Sequence, residues 1–491
     1  MSGLSQQGVR VTRNLVLTAA GEAVGAALNV LVVVVVARYL DVERFGQYAF
    51  IMAVVSIFQL LASAGFGQIL IREIAVNAAQ ARRYVGAAKS FTWILSLATF
   101  AVIAAVVQLT TPSAEVRVAA YVAAVGVIAT VHAACYAAVF RAFEEMEVNA
   151  AGFVLHKVVF LALAVVGVRL DTGLLGMCGA AFLANAFLWG YYLAVLEIRH
   201  FHPRLHVDVA LWKELLRDSL PLGVTVVLRR ISLHVDVLIL TFFGMTAAAG
   251  YFSAAYKLIQ ALTLIPFTLA QVLLPVFSRM ARSDDRAFRE AFERAFKFLL
   301  FLALPLTLGL ALLAGPIVEL VYGKSFGPAA APLAIMSFCL LFLFPTSLCL
   351  FAFTAMGAQR LYTIGTVVYV AVNIVVDFAL VPALAQVGAS IGTLTAEVVL
   401  FAASVFFLRR LEKPLPLVRL AWRPLLAGIA MSAALLALRG TGLVMILVAA
   451  LAGTGLYVGA LLALRAISPA EMALLAAATR VRLRPASPTP R

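Results

Sequence analysis

The sequence predicts an all-α polytopic membrane protein with about fourteen transmembrane helices, arranged as two pseudo-symmetric six-helix lobes plus two C-terminal helices. Three observations support this fold class: the composition, the apolar runs and the placement of basic residues. Of 491 residues, 64% are hydrophobic and 12% charged, with a mean hydropathy of +1.03. A soluble domain needs a more polar surface than this. The net charge of +15 therefore indicates membrane topology and not nucleic-acid binding.

Apolar runs of about 20 residues, the length that crosses a bilayer core, recur along the chain. The first follows Arg10 and Arg13 and is too long for a signal-peptide core, so we expect an uncleaved helix. The eighth contains Pro266 and Pro275, which predict kinks. The predicted spans lie near 14–37, 46–69, 88–110, 117–140, 150–169, 173–196, 219–243, 248–277, 298–322, 329–356, 361–383, 387–408, 420–438 and 441–464.

Lysines and arginines are divided unequally between alternate connections. With the N-terminus inside, the inside connections and the two tails hold 29 of the 38 basic residues, and the outside connections hold 6. This asymmetry predicts that both termini are cytoplasmic. The remaining three, Arg229, Arg230 and Lys257, fall in the middle of predicted spans. The short outside connections leave no room for an extramembrane catalytic domain.

An internal repeat divides the chain. Gly46 in RFGQYAF corresponds to Gly250 in AAGYFSA, an offset of 204 residues, and each follows the first helix of a six-helix block. Parallel repeats predict two lobes with the substrate path between them. The predicted units are an N-terminal lobe with helices 1–6, a cytoplasmic linker, a C-terminal lobe with helices 7–12, and helices 13–14 with a cytoplasmic tail, at 1–197, 198–217, 218–409 and 410–491.

The seventh span contains VLRRISLHVDVLIL, residues 227–240. Arg229 lies about 15 Å along the helix at 1.5 Å per residue, and a central arginine costs roughly 2.5–3.5 kcal/mol. Asp236 shares one helical stripe with Arg229, whereas Arg230 and His234 form a second, so the polar surface is broad. This pattern indicates a helix that lines a water-filled cavity.

Lys257 on the eighth span lies at a depth similar to that of Arg229. Together with Arg230, these cations form a predicted site for a phosphate or diphosphate, because guanidinium forks and ammonium groups bind such oxygens. Tyr251 and Tyr256 precede Lys257 and could stack on sugars or anchor the helix at the interface. The alternative is an ion-paired packing cluster in which the arginines bond to carboxylates of neighbouring helices, namely Asp236, Asp377 or Glu397.

Other mid-span polar residues are candidates for the cavity wall or for ion coupling. No cofactor is expected, and coupling to H⁺ or Na⁺ is left open. Each residue could instead be a structural hydrogen-bonding group. The candidates are Glu22, Asn29, Gln59, His234, Asp236, Tyr256, Asp377 and Glu397.

Motifs for other chemistry are missing from the sequence. It contains no GxxxxGK[ST], GxSxG, HExxH or helix-initiating GxGxxG pattern. The histidines of HFHPRLH, residues 200–206, lack a metal-ligand pattern, so no metal is expected. Four cysteines, Cys135, Cys178, Cys339 and Cys349, lie in apolar runs and are interpreted as small apolar residues.

The inside connection 278–297 predicts an amphipathic helix. Phe288, Phe292 and Phe296 recur at i, i+4 and i+8 with charges between them. We expect this face to lie on anionic inner-leaflet lipids. A solvated helical linker is the alternative.

Four segments carry a family resemblance across nearly the whole chain: RNLVLTAAGEAVGAALNVLVVVVVARYLDVERFGQYAF, ASAGFGQILIREIA, HVDVLILTFFGMTAAAGYFSAAYKLIQALTLIP and NIVVDFALVPALAQVGASIGTLTAE. They resemble the Wzx-like polysaccharide-repeat flippases of the multidrug/oligosaccharidyl-lipid/polysaccharide exporter superfamily. The resemblance implies a V-shaped pair of lobes in a bacterial cytoplasmic membrane that alternate between inward- and outward-open states.

The same resemblance implies a substrate, an undecaprenyl-diphosphate-linked oligosaccharide moved from the inner to the outer leaflet, and no enzymatic reaction. It places the diphosphate at Arg229, Arg230 and Lys257, and it implies polymerase and glycosyltransferase partners. Lipid II flippases resemble the chain less, since they carry arginines in the first two helices, where this chain has Glu22 and Gln59. A cation-coupled multidrug exporter of the superfamily and a membrane-embedded polysaccharide enzyme are the alternatives.

Overall fold

The computed structural model describes the backbone of residues 2–63, 65–111, 113–413, 415–438, 440 and 442–466, and their side chains except in 2–20, 218–226 and 282. This part of the chain is helical throughout, with two 3-10 segments, Ala78–Gln80 and Lys324–Ala329. The α-helices are α1 Ser2–Tyr39, α2 Val42–Ser63, α3 Phe66–Val76, α4 Ala81–Thr110, α5 Ala114–Ala142, α6 Met146–Arg169, α7 Gly173–Arg199, α8 Val209–Ser232, α9 Val235–Phe242, α10 Thr246–Leu262, α11 Leu264–Ser283, α12 Asp285–Leu312, α13 Ala314–Tyr322, α14 Ala330–Ser337, α15 Cys339–Ala355, α16 Gln359–Arg410, α17 Leu417–Ala437 and α18 Leu443–Ala463.

The all-α membrane fold class is confirmed, whereas the count of fourteen spans is not. Among the described residues, 11 helical segments are long and apolar enough to cross a membrane, or 12 if the bent pair Lys324–Ser337 and Cys339–Ala355 is one span. One difference arises because α16 is a single element of 52 residues that covers two predicted spans. Another arises at the seventh predicted span, which is broken into α8 and α9.

The two halves of α16 form a hairpin about Ala385, whose backbone is non-helical with φ 48° and ψ −126°. A Cβ built on Gly388 would lie 2.6 Å from the Leu380 carbonyl oxygen, and one on Gly365 would lie 3.1 Å from the Leu400 side chain. These facing positions converge on Ala385, so the halves run antiparallel. The close approach at Gly388 leaves no room for a side chain.

The break in the seventh predicted span has a sequence cause. Arg229 and Arg230 lie in the last turn of α8, near its negative dipole end, and Asp236 lies in the first turn of α9, near its positive end. These charges therefore stabilise the end of α8 and the start of α9. The same span starts earlier than predicted, because the Asp208 side chain caps α8 by accepting the Leu211 N–H at 3.0 Å.

Two groups of helices can be distinguished, and the largest apolar core extends through both of them. In the first group α5 packs against α4 and α7, and α6 packs against α1 and α7. In the second, α15 packs against α11, α12 and α16, and α14 packs against α10 and α16. Helices α17 and α18 pack on each other and on α12. Leu211 and Leu215, predicted in the linker, are buried against the first group.

The phenylalanines of the predicted amphipathic helix lie inside the protein. Phe288, Phe292 and Phe296 are only 1%, 3% and 2% exposed. Phe277 of α11 packs on Phe288 and Phe292 with ring centroids 5.5 and 5.9 Å apart. The expectation that this face lies on lipid is therefore wrong, because α11 folds back along α12 and covers it. Asp284 caps α12 by accepting the Arg286 and Ala287 N–H groups.

The repeated glycines pack against each other where α2 meets α10. A Cβ on Gly46 would overlap the Thr246 carbonyl and lie 3.1 Å from the Gly250 nitrogen, and a Cβ on Gly250 would overlap the Val42 carbonyl. The contact is thus reciprocal. Nearby, the Arg38 guanidinium at the end of α1 donates to the carbonyls of the last turn of α13. The two helix groups are joined firmly at this end.

The cysteines and the loop histidines have ordinary surroundings. All four cysteines are free and buried, which confirms their interpretation as small apolar residues. The histidines face three different carboxylates and do not converge: His200–Glu145, His202–Glu197 and His206–Asp208, at 3.1, 2.6 and 3.8 Å.

Candidate functional site

Five of the eleven site residues predicted from the sequence fall into three groups of polar side chains. We name them the carboxylate cluster, which comprises Asp236, Asn373, Asp377 and Thr393; the lysine pair, which comprises Lys157 and Lys257; and the arginine–glutamate group, which comprises Arg229, Glu397, Tyr362 and Tyr369. Each group depends on contacts between residues far apart in the chain. Their charges differ in sign and in degree of compensation.

The carboxylate cluster is almost fully enclosed. Asp236 is 2% exposed, Thr393 is 5% exposed, and Asn373 and Asp377 are fully buried. One oxygen of Asp236, Oδ1, accepts the Asn373 Nδ2–H at 3.1 Å and the Thr393 hydroxyl at 2.9 Å. Both Asp377 carboxyl oxygens and Asn373 Oδ1 are buried and receive no hydrogen bond from a described amide, hydroxyl or basic group. The Asp377 carboxyl group lies within hydrogen-bonding reach of the Asp236 carboxyl group, so the two can share a proton.

The local sequence explains how this cluster assembles. Asn373 and Asp377 are four residues apart on the first half of α16, so they share one face. Thr393 comes from the second half through the hairpin. A Cβ on Gly392 would overlap Asp377 Oδ1, so only glycine allows the two halves to approach here.

The donor set of the carboxylate cluster suits a small hard cation. Carboxylate, amide and hydroxyl oxygens are the ligands that such ions prefer. Among the described residues, neither Asp236 nor Asp377 forms an ion pair with a basic side chain. Two carboxylates buried together are costly unless a cation or a proton shares the site. The arrangement can therefore bind H⁺ or a monovalent cation.

The lysine pair lies between the two helix groups. Lys157 Nζ of α6 donates to Asn29 Oδ1 of α1 at 2.9 Å, and Lys257 Nζ of α10 donates to Gln260 Oε1 at 3.1 Å. Both lysines line a cavity of about 180 Å³ together with Tyr322 and apolar residues of α1 and α10. Their positive charges lie close enough to repel each other. Within the described structure, no carboxylate forms an ion pair with either ammonium group.

Lys157 was missed as a site residue by the sequence reasoning, which counted it in an inside connection. It lies eleven residues after Met146 at the start of α6, and Lys257 lies eleven residues after Thr246 at the start of α10. At 1.5 Å per residue, each is about 16 Å from its helix end. The signal that could have found it was its position inside the predicted span 150–169.

Arg230 extends this positive region towards the first helix group. Its Nη1 donates to Ser56 Oγ of α2 at 3.1 Å. His234 lies close enough to Arg230 and Lys257 to interact with both charges. Four nitrogen-bearing side chains therefore lie near one another, and they are Lys157, Arg230, His234 and Lys257. The two lysines and the arginine donate hydrogen bonds to Asn29, Gln260 and Ser56.

Arg229 belongs to different surroundings. It interacts electrostatically with Glu397 of α16 and lies against the Tyr362 hydroxyl. Tyr369 contacts the Glu397 carboxyl group. Arg229 therefore has the carboxylate neighbour that the ion-pair alternative requires, whereas Arg230 and Lys257 are separate from that group. The predicted trio is thus divided between two surroundings.

The remaining predicted residues lie around these groups. Tyr256 stacks on Phe252 at 5.8 Å and borders a small cavity with Glu397 and Thr393. Glu22 on α1 and Gln59 on α2 are partly exposed. Among the hydrogen bonds of the described residues, none links Glu22 or Gln59 to the three groups.

Comparison with known proteins places this arrangement in context. Residues 11–281 match the family described as polysaccharide biosynthesis protein. The chain is similar to the probable flippase AglR of Haloferax volcanii, with 27% identity over 266 residues, which is 53% of each chain. The curated relatives that it matches are covered over about a third to about half of their length.

Two solved structures share the fold. One is the lipid II flippase MurJ in an inward closed conformation, with a TM-score of 0.75 and 15% identity over 91% of this chain and 98% of that one. Another is a multidrug resistance MATE family transporter of the MOP superfamily in an inward-facing conformation, with a TM-score of 0.66 and 17% identity over 79% and 96%. At such identities the likeness concerns the fold.

Proposed function

We propose that this chain, which belongs to the family described as polysaccharide biosynthesis protein, is a flippase-type transporter of the MOP superfamily that translocates an undecaprenyl-diphosphate-linked oligosaccharide of the O-antigen or exopolysaccharide type. Movement is from the inner to the outer leaflet of a bacterial cytoplasmic membrane by alternating access. The observation that carries the proposal is the lysine pair, two half-buried cations from different helix groups that line one cavity, repel each other and form no ion pair with a carboxylate among the described residues.

A diphosphate bound between Lys157 and Lys257 would remove that repulsion. Each ammonium group has three donors and uses one on a neutral amide, so donors are left for phosphate oxygens. Arg230 supplies a guanidinium fork beside them. Arg229, predicted for the same site, does not line the cavity of the lysine pair and has Glu397 as its counter-charge. The proposed diphosphate site therefore comprises Lys157, Lys257 and Arg230, with Arg229 next to it in the chain.

Binding at the lysine pair would depend on the conformation of the transporter. Lys157 is carried by the first helix group and Lys257 by the second, so their separation changes when the groups rotate about the α2–α10 contact. A diphosphate favours the conformation in which both ammonium groups reach it. Substrate binding would in this way bias the alternation.

The driving ion, H⁺ or Na⁺, is proposed to bind at the carboxylate cluster. Its two buried carboxyl groups, which lie within hydrogen-bonding reach of each other, support this assignment over Glu22, which is partly exposed. Because Asp236 lies directly after the α8–α9 break, occupancy of the cluster would act on the helix that carries Arg230 and Arg229. Polysaccharide polymerases and glycosyltransferases remain the expected partners.

A multidrug exporter of the same superfamily is the second candidate, and the carboxylate cluster is the observation that favours it. An exporter of cationic compounds needs carboxylates that face the cavity. Here the clustered carboxylates are enclosed, and the cavity between the helix groups is lined by lysines. A lipid II flippase would share the diphosphate chemistry and differ only in the sugar and peptide it accepts.

The test is translocation of a labelled lipid-diphosphate-oligosaccharide in proteoliposomes. The double substitution Lys157→Gln/Lys257→Gln is expected to lower the rate by roughly two orders of magnitude, since charged hydrogen bonds contribute about 1.5–3 kcal/mol each. Lys324→Gln is the control, because that lysine is 91% exposed and does not line the cavity of the lysine pair. Unchanged flipping by the double variant, or efflux of cationic dyes without lipid transport, would overturn the proposal.

A further inference from the structure

A second cavity, of about 340 Å³, lies where the first turns of α12, the first turns of α17 and the residues after α18 meet. It belongs to none of the three groups described above. Four basic side chains and two carboxylates line it, which gives an excess of two positive charges: Arg294, Lys297, Arg419, Arg423, Glu290 and Glu293. We infer that this basic pocket binds the phosphate of an anionic phospholipid headgroup.

The carboxylates of the pocket are already engaged. Glu293 accepts from the Arg419 guanidinium at 2.9 Å. Glu290 accepts from Arg294 at 3.3 Å and from Arg286, outside the pocket, at 3.1 Å. Among the ion pairs of the described residues, neither glutamate is paired with Arg423.

Arg423 is the residue on which the inference depends most. Its Nη1 donates to the Arg465 carbonyl oxygen at 2.7 Å, so one end of the guanidinium is held by backbone. Its Nε is buried and has no hydrogen-bond partner among the described residues. Within the described chain no carboxylate forms an ion pair with Arg423. A fixed guanidinium with an unused donor fits a phosphate group.

The surroundings favour a lipid phosphate over a free one. Trp422, 43% exposed, lies on the pocket with its ring 5.1 Å from the Arg423 guanidinium, and tryptophan is typical of the membrane–water interface. Further along α17, Leu425, Leu426 and Ile429 are 50%, 46% and 66% exposed. Acyl chains could lie on this apolar face while the headgroup occupies the pocket. Basic pockets between helices on the cytoplasmic side bind headgroups in this way.

Thermal unfolding of the detergent-solubilised full chain tests the inference. Titration with phosphatidylglycerol is expected to raise the unfolding midpoint, whereas phosphatidylcholine and inorganic phosphate have little effect, because ligand bound only to the folded state stabilises it. Arg423→Gln should require about tenfold more phosphatidylglycerol for the same shift, consistent with one charged hydrogen bond. Arg289→Gln, an exposed arginine on α12 outside the pocket, is the charge-matched control.

Each outcome decides the inference. Equal shifts with phosphatidylglycerol and phosphatidylcholine, or equal losses in Arg423→Gln and Arg289→Gln, would overturn it. An equal shift with inorganic phosphate would assign the pocket to a free anion instead. If Arg423→Gln does not fold, Arg419→Gln and Arg423→Lys are measured instead. Arg419→Gln, which removes a positive charge, is expected to weaken the response to phosphatidylglycerol more than Arg423→Lys, which keeps one. Because lipid transport is not the readout, the result is independent of the proposed flippase function.

Discussion

The carboxylate cluster and the lysine pair each enclose two like charges, yet they are built in opposite ways. Asp236 and Asp377 both come from the second helix group and are held by neighbours of the same group. Lys157 and Lys257 come from different helix groups and each bonds within its own. A site within one group can keep its geometry while the groups move. A site shared between groups cannot.

This difference suggests a division of tasks. The carboxylate cluster can bind its cation in either conformation, and it acts through the α8–α9 break beside it. The lysine pair instead responds to the separation of the helix groups. Substitutions at the carboxylate cluster, at the α2–α10 contact and at a surface ion pair test this difference.

Asp377→Asn should have the largest effect, because it removes one of the two buried carboxyl groups of the carboxylate cluster. We expect dependence of transport on the coupling cation to weaken by about 10–100-fold, the range seen when groups that support metal sites are removed. The measurement is lipid translocation as a function of Na⁺ concentration and pH. Asp285→Asn, a 72% exposed carboxylate, is the control. Equal cation dependence in Asp377→Asn and the native protein would contradict the assignment.

Gly392→Ala should have a smaller effect at the same cluster, because it keeps every ligand and disturbs their spacing. The added methyl group overlaps Asp377 Oδ1, so the α16 hairpin must open slightly. We expect about tenfold weaker cation dependence, equivalent to about 1.4 kcal/mol. Gly309→Ala, on α12 with open space around the glycine, provides the comparison. If both alanines behave alike, hairpin spacing does not set the affinity.

Gly46→Ala addresses the other half of the comparison, the movement between the helix groups. Its methyl group overlaps the Thr246 carbonyl, so the joined conformation should be disfavoured and the ends of α2 and α10 should separate. The expected result is a longer distance between spin labels on α2 and α10, together with weaker diphosphate binding at the lysine pair. Gly67→Ala, which meets no neighbouring atom, should leave the distance unchanged. An unaltered distance in Gly46→Ala would show that this contact does not hold the groups together.

Arg83→Gln should have the smallest effect and separates surface acid sensitivity from that of the carboxylate cluster. The Arg83 guanidinium, 2.7 Å from Asp208, holds the pKa of that carboxyl below its ordinary value. Because the pKa of Asp208 is lower in the folded chain than in the unfolded chain, where it is about 3.9, the ionised carboxyl group stabilises the fold above that pH. This contribution is lost as the pH falls through the pKa of the folded state. The variant should therefore lose stability at a slightly higher pH than the native protein.

Thermal unfolding between about pH 6 and pH 3 measures this shift, since the range spans ordinary aspartate titration. Arg286→Gln, which removes an exposed ion pair within α12, is the control. A raised acid midpoint in both variants would assign the effect to general surface charge and not to the α8 cap.

Several features were predictable from the sequence because they depend on local chemistry. Apolar runs predict membrane helices whatever their neighbours, and an arginine pair in such a run predicts a polar environment. The repeat of Gly46 and Gly250 predicts two related halves, which stays a prediction, and the structure shows that the two glycines pack against each other. The interpretation of the four cysteines as small apolar residues required only their apolar sequence context. In contrast, the number of spans depended on where α16 bends and where α8 ends, which are properties of packing.

The partners of each charged residue were decided only by tertiary structure. Asn373 and Asp377 share a helix face. Asp236 lies 137 residues before Asn373 and reaches it through the α9–α16 contact. Thr393 lies 16 residues after Asp377 and joins the cluster through the hairpin. Arg229 and Arg230 are adjacent in sequence yet face Glu397 and Ser56, because neighbouring positions on a helix point about 100° apart. Lys157 became a site residue only because packing brings its side chain into the same cavity as Lys257. The sequence was enough to identify Arg229, Arg230 and Lys257 as unusual charges within apolar runs, and packing between distant helices determined which charged groups meet.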